Sequence, residues 1–191
     1  APGGAGLEIV HEPGVDLTRS LPPLDAELTL GVVDGTDLEA PAAATVTRPN
    51  GELWFFGPPS PEVGATFSVR LSATLVPEVG GIWQVSLAHA GRARLWLDDE
   101  CVLDGMGQPF PSGSSFLGLG TQEVRVERTF EAGVPVAVRA EFTNPDGAML
   151  SGVRIGARPA PPTDMVERAV AAASRADAVV LMVGTDKEWE S

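Results

Sequence analysis

Residues 67–75 read FSVRLSATL, and after a short turn residues 82–87 read IWQVSL. In both stretches apolar and polar side chains largely alternate with a period of two, which places them on opposite faces of an extended strand. Strands that are apolar on one face only are typical of antiparallel sheets that cover a core on one side. These stretches therefore predict that the centre of the chain is an antiparallel β-structure.

The same pattern continues along the chain. It recurs at residues 93–97, 124–126, 134–142 and 153–155. Turn-forming residues separate the runs at Asn50-Gly51, Gly80-Gly81 and Asp98-Asp99. Seven or more short strands with regular turns predict a mainly β fold, an antiparallel β-sandwich or barrel.

Both ends of the chain have a different pattern, typical of an α/β domain. Residues 7–11 (LEIVH) predict a short strand that precedes a Pro-rich connector, and residues 178–183 (AVVLMV) predict a buried strand. We expect these two strands to be parallel neighbours in one sheet, joined by a right-handed crossover. Because a parallel strand needs covered faces and neighbours, we also expect the chain to be a piece of a larger protein.

A helix is predicted between the sandwich and the second of these strands. Residues 161–162 are both proline, and Thr163 behind them is the expected N-cap of a helix over 164–175. One face of this helix is apolar, with spacing i, i+3, i+4 and i+7 at Val166, Ala169, Val170 and Ala173. The predicted organisation is a strand and linker over 1–22, a β-sandwich over 23–160, and a helix, strand and loop over 161–191.

Composition narrows the class of partner. The chain has 13 basic and 26 acidic residues and a net charge of -13, which disfavours nucleic acid and anionic membranes. No segment approaches the ~18 consecutive apolar residues that a membrane span needs. The first residues lack the charged and apolar regions of a signal peptide, so we expect a cytoplasmic rather than a secreted protein.

The sequence contains few cysteine and histidine residues that could bind a metal. Cys101 is the single cysteine, which excludes an intrachain disulfide and a cysteine-based zinc site. Because it begins the apolar run CVL, we expect it to be a buried structural thiol. His11 and His89 belong to different regions and show no third partner, so we predict neither a metal site nor a cofactor.

The central strands resemble a known module. Residues 67–87, and the hairpin RLWLD at 94–98 followed by CVLD at 101–104, resemble the protective-antigen-type β-sandwich domain. The resemblance spans residues 26–158. Leu71 stands where tryptophan is frequent, and Asp99 replaces the more common turn glycine; both changes are compatible with the fold.

The flanks resemble a second family. Residues 9–16 (IVHEPGVD) and 178–191 are similar to the C-terminal α/β sandwich of glycoside hydrolase family 3, and some β-glucosidases of that family carry a protective-antigen-type insert there. The resemblance implies a non-catalytic fragment of a retaining β-glucosidase. Its partners would be the barrel domain, the rest of the α/β domain, and a β-glucoside or oligosaccharide substrate.

The resemblance also locates the catalytic groups. Retaining hydrolysis uses two carboxylates, and the family pattern puts the nucleophile on the barrel and the acid/base glutamate just after Ser191. No catalytic residue is therefore predicted in this chain. Trp189 and Glu190 belong to the loop that leads to the acid/base residue and are predicted to contribute to the substrate pocket. Glu188 and Glu190 are expected to orient that site or face solvent.

One loop of the sandwich is the strongest candidate for binding. Residues 105–120 form a sixteen-residue segment with five glycines and two prolines, and loops of this length are often functional. In the related enzymes a loop of the insert limits what the aglycone subsite accepts, and Phe116 best matches its pattern. Phe116 and Phe110 are the predicted substrate-binding residues, as exposed rings that contact the sugar. The alternative, in which the ring tucks under the loop as an anchor, stands equally for Phe116 and is the favoured interpretation for Phe110.

Two other functions compete with this interpretation. Related modules in yeast adhesins bind sugars through calcium and two adjacent aspartates, so Asp98-Asp99 permits a stand-alone, calcium-dependent carbohydrate-binding module. A hairpin turn is the favoured interpretation of that pair, because aspartate is common in two-residue turns. In the third interpretation the insert only stabilises or dimerises the enzyme, which leaves a homodimer open.

Overall fold

The computed structural model describes residues 8–183 and divides them into two units. One unit comprises residues 20–160. The other combines the described residues before it with those after it, 8–19 and 161–183. No helix in the described range is long and apolar enough to cross a membrane.

The larger unit is built from antiparallel strands. In chain order they are β1 (Leu28–Asp34), β2 (Ala44–Arg48), β3 (Glu52–Phe56), β4 (Phe67–Leu75), β5 (Gly81–Ala90), β6 (Arg92–Leu97), β7 (Glu100–Asp104), β8 (Val124–Phe130), β9 (Val136–Asn144) and β10 (Leu150–Pro159). One sheet has six strands in the order β2-β1-β4-β9-β6-β7, and the other has four in the order β3-β10-β5-β8. The predicted antiparallel β-sandwich is confirmed.

The core lies between the inner faces of the two sheets. At its centre the rings of Phe55, Phe67 and Phe142 contact one another, with centroid separations of 5.4, 5.5 and 6.1 Å. Phe67 and Phe142 are fully buried, while Phe55 brings the four-stranded sheet to the same cluster. The period of two seen in the sequence therefore marks the inner faces correctly.

The Pro-rich connector is part of the sandwich. Leu24 N donates a hydrogen bond to Ile155 O at 2.8 Å, and Ala157 N donates to Pro22 O at 3.2 Å. Pro23 forms an antiparallel bridge with Gly156. Leu21 and Leu24 are buried as a result, so the chain enters this unit directly beside the strand through which it leaves.

The flanking elements form only in part. Helix α1 spans Met165–Ala173 with Asp164 rather than Thr163 as N-cap, and no side chain caps it. Residues 8–11 and 178–183 form no strand, and Val180 is 89% exposed. The predicted parallel pair is thus absent from the described chain. The physical reason is that a parallel strand is stable only with covered faces, and these residues have no such cover.

Candidate functional site

The segment 105–121 forms a folded loop between β7 and β8. Ser112 and Thr121 pair in an antiparallel bridge, and Gly113 N donates to Gly120 O at 3.0 Å. Gly120 N in turn donates to Ser115 O at 2.9 Å, which closes the tip. The loop therefore has its own hydrogen-bond framework, as expected for a long surface loop with a defined shape.

Phe116 is buried inside this loop, so the prediction of an exposed ring is wrong. Its side chain is 5% exposed, and its centroid lies 4.9 Å from that of Trp54 on β3. A Cβ atom at Gly152 on β10 would lie 2.3 Å from Phe116 Cε1, so that glycine leaves the space that the ring fills. The ring anchors the loop to the four-stranded sheet.

Phe110 is half-buried and also faces inward. It packs against the core, and its ring centroid lies 5.3 Å from that of His89, at an angle of 38°. A free aromatic face at Phe110 is therefore wrong as well, whereas the favoured interpretation of this ring as an anchor agrees with the structure. The residues that these rings contact lie on strands outside the loop, Trp54 on β3 and His89 on β5. The sequence around each phenylalanine therefore does not indicate its partner.

The exposed apolar side chains at the tip of the loop are two leucines rather than the two phenylalanines. Leu117 is 78% exposed and Leu119 is 66% exposed, beside the buried Phe116. Phe116 and Leu117 have φ values of 53° and 60°, in the left-handed region that side chains rarely adopt. Such backbone strain is characteristic of binding sites, where the surrounding structure holds an unfavourable geometry in place.

Leu119 also lines a cleft of about 290 Å³ in the larger unit. The lining also includes Ala148, in the turn between β9 and β10, and Leu150, at the start of β10, which provide apolar surface. Arg92 and Asp146, both exposed, bring charged groups to its lining. The lining is thus of mixed polarity, and the volume lies just below the range of about 300–1,000 Å³ that is usual for small-molecule pockets.

An aromatic surface on β3 lies next to the loop. Trp54 and Phe56 project outward from this edge strand with their rings nearly parallel, at a centroid separation of 6.2 Å. Phe56 is 76% exposed and pairs with Leu150 of β10, and the next residue, Gly57, donates a hydrogen bond to the backbone oxygen of the exposed Met149 at 2.7 Å. Sequence reasoning missed these residues, although the unbroken apolar run LWFF at 53–56 signals a strand with apolar side chains on both faces.

The aspartate pair between β6 and β7 has the geometry of a turn. Asp98 has a φ of 51°, and its Oδ1 accepts a hydrogen bond from Ala137 N at 2.9 Å. Asp98 N also donates to Ala137 O at 2.7 Å. The favoured turn interpretation of Asp98-Asp99 agrees with this geometry, in which one carboxylate oxygen already has a partner within the protein.

Cys101 is exposed, so the prediction of a buried thiol is wrong. It pairs with Trp96 on the outer face of the six-stranded sheet, whereas Leu103 two residues later belongs to the core. Partial desolvation of the sulfur raises the pKa of the exposed thiol, with a further contribution from Asp104. A raised pKa disfavours the reactive thiolate form of this cysteine.

The remaining predicted site residues fall elsewhere. Trp189 and Glu190 lie outside the described residues, as does Glu188. Across residues 8–183 no three side chains of histidine, cysteine, aspartate or glutamate gather as a metal site would require. The loop, its exposed leucines and the adjoining cleft are therefore the candidate site.

Comparison with known proteins extends this description. A β-glucosidase from Rhizobium radiobacter is 30% identical over 186 residues, which cover 95% of this chain and 23% of the enzyme. The probable β-glucosidase H of Aspergillus clavatus is 29% identical over 200 residues, covering 96% and 24% of the two chains. The chain thus spans about a quarter of the length of these curated relatives.

A solved structure has the same fold. The β-glucosidase from Kluyveromyces marxianus superimposes with a TM-score of 0.80 at 22% identity, over 97% of this chain and 24% of that one. The predicted resemblance to β-glucosidases is confirmed. The family model of the PA14 domain matches residues 33–157, within the span predicted for the protective-antigen-type module. That match covers well over half of the sequence and nearly all of the sandwich, so the chain belongs to the PA14 domain family.

Proposed function

We propose that this chain is the non-catalytic part of a retaining β-glucosidase of glycoside hydrolase family 3, and that its sandwich shapes the aglycone side of the substrate pocket. The observation that carries the proposal is the extent of the similarity. It covers 95% of the chain against a β-glucosidase, whereas the PA14 domain ends at residue 157. The flanks therefore share the resemblance, as expected if the sandwich is inserted into an α/β domain of the enzyme.

The proposed partners follow from this organisation. The barrel and the rest of the α/β domain supply both catalytic carboxylates, and the substrate is a β-glucoside or an oligosaccharide. The sandwich contributes a rigid platform, because the loop that meets the substrate is held by buried contacts at Phe116. A rigid wall beside a pocket changes which aglycones fit without altering the chemistry at the glucosyl unit.

The proposed contact surface is the loop tip and its cleft. Leu117 and Leu119 offer apolar area to the aglycone, while Arg92 and Asp146 offer hydrogen bonds to sugar hydroxyls. In this proposal Phe116 does not touch the substrate but holds the leucines in place. This refines the role predicted for Phe116 from the sequence.

Kinetics of the intact enzyme test the proposal. Replacing Leu117 and Leu119 together by serine should raise KM for glucosides with large aglycones roughly fivefold, or about 1 kcal/mol of lost apolar contact. The kcat should change little, because the catalytic carboxylates are untouched.

Val79→Ser is the matched control. Val79 is also an exposed apolar residue, at 51%, but it lies in the turn between β4 and β5. The Val79→Ser variant should leave KM unchanged for every substrate. Equal and negligible effects of the leucine and valine variants would reject a role for the loop in aglycone selection.

A further inference from the structure

His89 lies beneath the candidate loop. It is near the end of β5 and is 3% exposed. It continues the inward-facing series of Val85 and Leu87, so its ring enters the space that the loop covers. A Cβ atom at Gly105 would lie 2.4 Å from His89 Nε2, which shows how closely the first residue of the loop approaches the ring.

The backbone of His89 holds the other end of the loop. Thr121 N donates to His89 O at 2.9 Å, and His89 N donates to Thr121 Oγ1 at 3.1 Å. Phe110, in the first half of the loop, packs on the ring itself. Both ends of the segment 105–121 therefore rest on one residue.

The imidazole has one hydrogen-bond partner. Nδ1 lies 2.9 Å from Gly91 O, and because a carbonyl oxygen only accepts, Nδ1 carries the proton of the neutral ring. Nε2 is buried without a partner. A second proton would therefore place a charged N–H against Gly105 and its surroundings, with no acceptor to receive it.

The charged groups on the neighbouring segments form no hydrogen bond with the buried Nε2. Asp104 accepts hydrogen bonds from Met106 N and Gly107 N, and Arg94 pairs with Glu141 on the outer face of the six-stranded sheet. Three further charged groups lie on these segments. Arg154 on β10 donates to Leu21 O, Arg125 on β8 pairs with Glu123, and Arg92 on β6 is exposed. Burial lowers the pKa of His89 below its ordinary value of 6.5, and the bond to Gly91 opposes this more weakly.

We propose that His89 is a pH-sensitive latch for the loop 105–121: the neutral ring keeps the loop closed, and protonation at Nε2 releases it. The direction follows from linkage. The closed form binds the proton less tightly than the open form, so stability of the closed loop is complete above the ordinary histidine pKa and is lost as the pH falls below it. The latch would regulate the site of the proposed function, but the inference itself is about the opening of the loop and does not require that the loop binds a substrate.

Nuclear magnetic resonance of the chain tests the latch directly. In a titration from pH 8 to pH 4.5, the His89 ring should titrate below 6.5, and the Gly105 and Thr121 amides should shift with the same midpoint. After correction for intrinsic exchange, protection of the Thr121 amide should fall by about tenfold for each pH unit between the two pKa values. The amide of Leu95, in the core strand β6, should stay protected, which separates loop opening from global unfolding.

Two variants complete the test. His89→Gln should abolish the pH dependence of the loop amides, while His11→Gln, at an exposed histidine, should leave it unchanged. Constant Thr121 protection in the native chain, a ring that titrates at or above 6.5, or the same transition in His89→Gln would overturn the latch. If His89→Gln does not fold, the native chain still tests the latch: the titration midpoint of the His89 ring must equal that of the Gly105 and Thr121 amides, and different midpoints would overturn it. Because no substrate is involved, the result is independent of the proposed role in aglycone selection.

Discussion

Phe116 shows how one residue joins the loop to the sandwich. It lies in a loop without the alternation that would bury it in a sheet, and the prediction of exposure followed from that. The space for the ring is created by Gly152 and Gly120, whose missing side chains leave it room. A single sequence cannot reveal such a slot, because its walls come from strands that pairing alone brings together.

At this scale we predict that Gly152→Ala destabilises the sandwich. The new Cβ would overlap the Phe116 ring and also the backbone oxygen of Leu53, and overpacking of this kind costs about 2 kcal/mol in the free energy of unfolding, of which Phe116→Ala should relieve the part due to the ring. Chemical denaturation of the variant measures the loss. Gly31→Ala, in β1, is the control: its Cβ would meet Ala42 Cβ at an ordinary 3.6 Å, so stability should hold. A Gly152→Ala loss that persists unchanged in a Phe116→Ala background would contradict the overlap.

Among the elements, the strands with clean alternation were predictable and β3 was not. The predicted strand 67–75 coincides with β4, while β9 begins at Val136 rather than at residue 134. In β3 the outward aromatics Trp54 and Phe56 hide the period of two. The sequence therefore revealed the inner core but not the outer surface that supports the loop.

For β3 we predict unequal effects of its two outward aromatics. Trp54→Thr should lower the free energy of unfolding by about 1 kcal/mol, because it removes the contact with the Phe116 ring. Phe56→Thr on the same face should change it by no more than about 0.5 kcal/mol, since that ring is largely exposed. Thermal unfolding of both variants gives the comparison, and equal losses would argue against β3 as the support of the loop.

Within residues 8–183 the molecule divides into a unit that has its own core and a unit whose described residues form none. The buried aromatic and aliphatic residues belong to the sandwich, whereas α1 buries none of its residues. Local sequence in the flanks predicted a helix and two strands, and among the flanking residues that the structure describes only the helix forms. Strand formation depends on neighbours that a local pattern does not supply.

We therefore expect a chain shortened to residues 20–160 to unfold cooperatively, with a free energy of unfolding within about 1 kcal/mol of the longer chain. Urea denaturation followed by tryptophan fluorescence measures both. Loss of the cooperative transition in the shortened chain would show that the flanks are needed for the sandwich to fold.

The pairing of residues 22–24 with 155–157 has a consequence for the proposed host enzyme. Paired strands lie about 5 Å apart, so the entry and exit of the sandwich present a host with two attachment points at the spacing of a tight turn. An insert costs its host entropy, because the two host segments on either side of it must be brought together. This loop-closure entropy depends on the distance between the two ends of the insert. A folded insert with adjacent ends thus behaves towards its host like a short connection, however many residues it contains.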